Sequence, residues 1–263
     1  MWRLAVSFLA LLLTLTIALP DSDAVYRLGK RKGPDDVLQA MDLPQRLDQL
    51  GQGKLFAEGG YSEEGVWAKM EAVIAAPPAL VWQLFIQSND WKDYGIPFMF
   101  DSRAVSREIV EAAKSLSDVN DVYKLIGNRV FNPTESRREG GKWTSYVFQF
   151  VNVKWPLPDR WVINENRYDE TKIAADVYRV TWDMQAGDVK INQGSMVLQP
   201  FEGDPEKTRM VYTVNVHPGS WVPRFLMKGV VTKSMPDAIR AIRRAAGKAQ
   251  HKPPWPPPLA DPQ

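Results

Sequence analysis

The chain has no cysteine. No disulfide can staple the fold, no thiolate can serve as nucleophile or metal ligand, and lipoprotein-type anchoring is excluded. Histidine is nearly absent too, with only His217 and His251 among 263 residues. His251 falls in a proline-rich tail and His217 at the end of a strand pattern, so neither stands in a constellation for acid–base catalysis or metal binding. No Lys/Arg run dominates, and a net charge of +2 lacks the basic footprint of a nucleic-acid binder. A glycine-rich phosphate loop is missing. Ser195 follows a glycine but lacks the Gly-x-Ser-x-Gly turn. No long-period repeat appears. These absences leave no residue-driven chemistry and no cofactor to expect.

What is present is ordinary core material, with 44% hydrophobic and 24% charged residues. The N-terminus reads Met1-Trp2-Arg3 and then an apolar run over 4–19. A short positive start before such a run predicts a secretory signal, with small residues at Ser22 and Ala24 for cleavage. Residues 1–24 are thus expected to be a signal peptide. Export of a cysteine-free chain points to a bacterial periplasm. The alternative is an uncleaved anchor, since the run is close to the minimum for a membrane span.

Residues 25–65 are expected to form an N-terminal helical extension. Val37, Met41, Leu47 and Leu50 repeat at helical spacing, and Gly51-Gln52-Gly53 and Gly59-Gly60 mark a loose connection. The main domain is expected over 66–248. Val66, Ala68, Met70, Ala72 and Ile74 alternate with Trp67, Lys69 and Glu71, the pattern of a strand. Pro78 opens a short helix. An aromatic loop follows, with Trp91, Tyr94, Phe98 and Phe100. Val105, Ile109, Ala112, Ala113 and Leu116 repeat as a helix.

Beyond a polar turn the period changes to two. Tyr146, Phe148 and Phe150 share one side of a strand. Asn164 and Asn166 share a face with Val162. Tyr178, Val180, Trp182 and Met184 alternate with polar residues, Met196 and Leu198 continue the apolar face, and Met210, Tyr212, Val214 and Val216 repeat it. This alternation predicts an antiparallel sheet with one wet face. A long amphipathic helix over 221–246 follows, with Val222, Phe225, Leu226, Gly229, Val230, Ala238, Ile239 and Ile242 on its apolar side and a kink expected at Pro236. Residues 249–263 form a proline-rich tail.

The order strand, helix, aromatic loop, several strands and long C-terminal helix resembles the START (steroidogenic acute regulatory protein-related lipid transfer) domain of the helix-grip superfamily. Two stretches carry the resemblance. Trp155-Pro156-Leu157-Pro158-Asp159-Arg160-Trp161-Val162 is similar to the family's Pro-x-x-x-Arg-Asp-Phe/Tyr-Val stretch, with Trp161 standing where the Asp belongs. Gly194, Pro200, Thr208, Tyr212 and His217-Pro218-Gly219-Ser220-Trp221-Val222-Pro223 resemble the family's pattern through its Asp-Pro-Gly-Gly-x-Ile-Pro turn.

The resemblance implies an α+β helix-grip fold, a curved antiparallel sheet wrapped around the C-terminal helix and enclosing an apolar cavity. It implies binding of a lipid or other hydrophobic small molecule, for transfer or sequestration, by a monomer that touches membranes transiently. Where sterol-binding members place an arginine, this chain has Asn166. The expected lining comes from Trp91, Phe98 and Phe100 in the loop and Tyr146, Phe148, Phe150, Asn164 and Asn166 in the first strands. Trp182, Met184, Met196, Tyr212 and Val214 follow from the later strands, with Phe225, Gly229 and Val230 from the helix. The loop over 91–100 and the segment 222–235 are expected to form the gate. The alternative in another class is a helix-grip enzyme, a cyclase or hydrolase acting on a hydrophobic substrate.

Overall fold

In the computed structural model the described residues are 43–62, 65–152, 159–217, 219 and 224–250. The side chains of 43, 62 and 224–234 lie outside that description. So do the expected signal peptide, the proline-rich tail and residues 155–158 of the first resembling stretch.

Eight strands form one antiparallel sheet in the order β1-β2-β8-β7-β6-β5-β4-β3. They are β1 (Leu55–Ser62), β2 (Gly65–Ile74), β3 (Met99–Val105), β4 (Lys142–Val151), β5 (Arg160–Lys172), β6 (Val177–Gly187), β7 (Ile191–Phe201) and β8 (Asp204–His217). The helices are α1 (Leu43–Gly51), α2 (Pro78–Ile86), α3 (Arg107–Ala113), α4 (Val119–Ile126) and α5 (Arg224–Gln250), with a 3₁₀ turn at Ser88–Tyr94. The sheet curves, and α2 and α5 close its concave side.

The concave core explains the period-two patterns. Val66, Ala68, Met70, Ala72 and Ile74 of β2 join Tyr178, Val180, Met196, Leu198, Met210 and Val214. Val81, Trp82 and Ile86 of α2 and Met235, Ile239, Ile242 and Ala246 of α5 pack onto them. Helix α5 runs through Pro236 as one continuous element.

The convex face is wet only in its middle, where Arg179, Thr181 and Asp183 are exposed. At one end α3 and α4 cover Phe148, Trp161, Ile163 and Ala186 with Ile109, Val110, Val122 and Ile126. At the other, Leu47 and Leu50 of α1 cover Phe56, Val73 and Phe201. There Glu71, 1% exposed, pairs with both Arg46 and Arg209. The expectation of a single wet face therefore holds only for the central strands.

Two local expectations are corrected. Gly59 and Gly60 do not loosen a linker; they lie within β1, paired with Ala68 and Trp67, so the sheet begins at Leu55. Gly60 serves a close approach, since a Cβ there would fall 2.8 Å from Trp67 Nε1. The helical repeat from Val105 is split in two, because both following helices carry their own N-caps. The Ser106 hydroxyl accepts from Ile109 N–H, and the Asp118 carboxylate accepts from Asn120 N–H. Residues 99–105 pair with β4 as a strand.

Candidate functional site

A cavity of about 160 Å³ lies between the concave face and α5. Its walls follow from register. Asn166 pairs with Trp182, and Trp182 with Gly194, so these positions share a face across β5, β6 and β7. Tyr212 pairs with Met70 on one side and Met196 on the other. The sheet contributes Met70, Gln149, Val151, Asn164, Asn166, Tyr168, Val180, Trp182, Asn192, Met210 and Tyr212. Helix α5 contributes Met235, Ala238, Ile239 and Ile242. Leu84 and Phe85 of α2, with Trp91, Tyr94, Ile96, Phe98 and Met99, complete the lining.

Trp182 lies against Tyr212, ring centres 5.0 Å apart. The space for its indole comes from Gly194, where a Cβ would fall 2.7 Å from Trp182 Cε2 and closer still to Cζ2 and the Thr213 carbonyl oxygen. Trp91 is fixed from behind, its indole N–H donating to the Leu84 and Phe85 carbonyls at 3.2 and 3.1 Å. Tyr168 stacks on Trp143 at 3.9 Å and meets Trp82 edge-on at 5.6 Å. Two residues further along β5, Glu170 is fully buried. It accepts from the Trp82 indole N–H at 2.5 Å and from Arg137 Nε at 3.2 Å. This carboxylate is outside the lining and ties α2 to the sheet.

The polar groups of the wall gather on and beside β5. Asn192 donates to Asn164 Oδ1 at 3.4 Å, and Asn164 donates to Gln149 Oε1 at 3.5 Å. Asn166 donates to the Tyr168 hydroxyl at 3.1 Å, as does the Ser145 hydroxyl at 3.3 Å. Asn164 and Asn166 are 2% and 6% exposed. The Tyr212 hydroxyl has no hydrogen-bond partner among the described residues, and burial pushes its pKa well above that of an ordinary phenol. Burial raises Tyr168 likewise, against the opposing hydrogen bonds from Ser145 and Asn166. Tyr94 is raised first by burial and then by Asp90 and Asp93. No described residue of the lining is charged. No three of His, Cys, Asp or Glu gather as a metal site among the described residues.

Trp91, Phe98, Asn164, Asn166, Trp182 and Tyr212, named from sequence, meet in this cavity. Met184, Met196 and Val214 have concave-face register but do not line it; Met196 is wholly buried in the core. Tyr146, Phe148 and Phe150 are corrected. They point to the convex side, against α3 and α4, where Tyr123 meets the rings of Phe148 and Phe150 edge-on. The concave residues of β4 are the alternate set, including Val147, Gln149 and Val151. Phe100 is half exposed with its ring 5.3 Å from Phe150 and does not reach the cavity. The side chains of Phe225, Gly229 and Val230 lie outside the described residues, as does most of the expected gate segment 222–235.

Sequence reasoning missed Gln149, Tyr168 and Asn192. All three are polar positions in concave register, and a search for apolar alternation passes over them. The described part of the helical wall comes from later turns of α5 than Phe225, Gly229 and Val230. Ala238, Ile239 and Ile242 lie on the apolar face of the same helix, one to two turns after Met235.

No family profile and no curated protein matches the sequence. Solved structures do. A STAR-related lipid transfer protein from Xanthomonas axonopodis superposes with a TM-score of 0.52 at 13% identity, covering 73% of this chain and 93% of that one. Human STARD10 gives 0.49 at 13% identity, over 83% of this chain and 82% of its own. The Zhui aromatase/cyclase from Streptomyces sp. R1128 gives 0.48 at 15% identity, over 70% and 94%. At these identities the likeness speaks to fold alone, and only the Xanthomonas protein clears 0.5. Taken with the eight-stranded sheet and the helix across it, the chain has the START-like helix-grip fold.

Proposed function

We propose that this protein binds a lipid or other hydrophobic small molecule in the cavity between sheet and α5, and carries or sequesters it in the periplasm after export. The observation that carries the reading is the mainly apolar lining, uncharged among the described residues, of a space about 160 Å³ in volume between sheet and α5. Such a space, with a few polar groups on one wall, is how small-molecule sites are built. Removing apolar ligand surface from water at roughly 25 cal/mol per Å² supplies the driving force. The lipid-transfer name of the Xanthomonas protein supports the same class of ligand. Export rests on the N-terminal sequence pattern, and a monomer in brief contact with a membrane is the matching mode of work.

Binding rather than catalysis is supported by the titratable groups of the wall. Tyr94, Tyr168 and Tyr212 are all moved upward, away from neutral pH, where a general acid or base works best. The test is a fluorescence titration of the full chain with the neutral apolar dye N-phenyl-1-naphthylamine. Saturation at one dye per chain is expected. No saturable binding by the folded protein would refute the reading.

A further inference from the structure

The amide side chains of the cavity are not spread around it. Among the described residues helix α5 offers Met235, Ala238, Ile239 and Ile242, and the stretch leading into β3 offers Ile96, Phe98 and Met99 beside Tyr94. Opposite them, four amide side chains from three strands stand together: Gln149 of β4, Asn164 and Asn166 of β5, and Asn192 of β7. Their mutual bonds run Asn192 to Asn164 to Gln149, and Asn166 to Tyr168. This uses part of their capacity. Each amide has two N–H donors and a carbonyl with two lone pairs. The Gln149 NH₂ group, the second N–H of Asn164 and the Oδ1 of Asn166 have no further partner among the described residues. Asn164 and Asn166 are more than nine-tenths buried in the wall.

Among the described residues the lining carries no charge. An ionised ligand group placed here would lose its hydration and gain no counter-ion, a cost that normally keeps ions out of such sites. A neutral hydroxyl, ketone or amide meets no such penalty and finds donors and acceptors already oriented.

We infer that the cavity takes an uncharged amphiphile, its hydroxyl or carbonyl end seated on the row Gln149–Asn164–Asn192 with Asn166, and its apolar body against α5. The inference rests on the proposed ligand-binding function and narrows it to neutral ligands, excluding carboxylates and alkylammonium ions.

The experiment is competition against N-phenyl-1-naphthylamine on the full chain at pH 8, with decan-1-ol, 2-decanone, decanoate and decylammonium. The alcohol and ketone should displace the dye at concentrations at least tenfold below those needed for either ion. In Asn164→Leu/Asn166→Leu the ratio of decanol affinity to dye affinity should fall about tenfold. Because that variant removes two buried amides, Asn166→Asp serves as an isosteric second variant, and it should bind decylammonium at least fivefold better than wild type. Decanoate equal to decanol in the wild type overturns the neutral-ligand claim while leaving a hydrophobic site intact. An unchanged decanol-to-dye ratio in the double variant, or no gain of decylammonium in Asn166→Asp, overturns the amide seat. Failure of the dye itself to bind removes the underlying function, and this inference with it.

Discussion

Gly194 is the sharpest point at which the wall can be disturbed by a single methyl group. In Gly194→Ala the new Cβ would lie 2.7 Å from Trp182 Cε2, nearer to Cζ2, and nearer than 3 Å to the Thr213 carbonyl oxygen. The carbonyl belongs to β8, which is paired with β7 along its length, so it has little freedom to retreat. The Trp182 ring must move instead. Its exits lead into the cavity and away from Tyr212, its neighbour at 5.0 Å. Overpacking of this kind costs about 1–3 kcal/mol, and loss of the aromatic contact adds about 0.5–1.5 kcal/mol. At ~2–4 °C per kcal/mol for a domain of this size, a fall in melting temperature of roughly 3–18 °C is expected. Urea denaturation should report the same loss, and dye binding should weaken because the ring enters the ligand's space. In a Trp182→Leu background the added methyl should cost at least ~0.5 kcal/mol less, since the ring clash is gone and only the carbonyl contact remains. A Gly194→Ala protein with wild-type melting and wild-type dye affinity would refute this account of how the wall is packed.

Two further outcomes follow from buried groups. Burial raises the folded-state pKa of Tyr212 above its unfolded value of ~10. The associated stability is fully present below that value and is lost as pH rises through the folded pKa, so Tyr212→Phe should flatten the fall in stability seen in urea melts between about pH 10 and 12. Glu71→Leu removes the carboxylate shared by Arg46 and Arg209 beneath α1. Breaking a buried pair in this way should cost about 3–5 kcal/mol, read as a lowered urea midpoint.

The strands legible from sequence were those with one wet face. On β6, Arg179, Thr181 and Asp183 are solvated, so Tyr178, Val180 and Trp182 stood out by contrast. Strand β4 is covered on both sides, by the cavity wall and by α3 and α4. Both of its registers are therefore apolar in part, and the more aromatic one, Tyr146-Phe148-Phe150, drew the reading to the wrong face. The same logic hides the amide row. A ligand-facing Asn166 or Gln149 looks in sequence like a solvent-facing residue, and only strand register shows which it is. Glycine misled in the opposite sense. Gly60 reads as a linker residue but is a strand position kept bare for Trp67, as Gly194 is for Trp182. The long C-terminal helix was clear from its period, yet nothing in that period could say which of its turns faces the cavity.

The central claim, that the space under α5 holds an apolar ligand, is tested most directly by filling it. Ala238 lines the cavity from the helix, and Ala238→Trp would place an indole in a volume of about 160 Å³. Native mass spectrometry of the purified full chain, with analysis of its organic extract, should show one extractable organic molecule per wild-type chain. The folded Ala238→Trp variant should lack it and should not take up N-phenyl-1-naphthylamine. A folded variant that retains the same molecule at the same occupancy would contradict the account, because the ligand would then lie elsewhere.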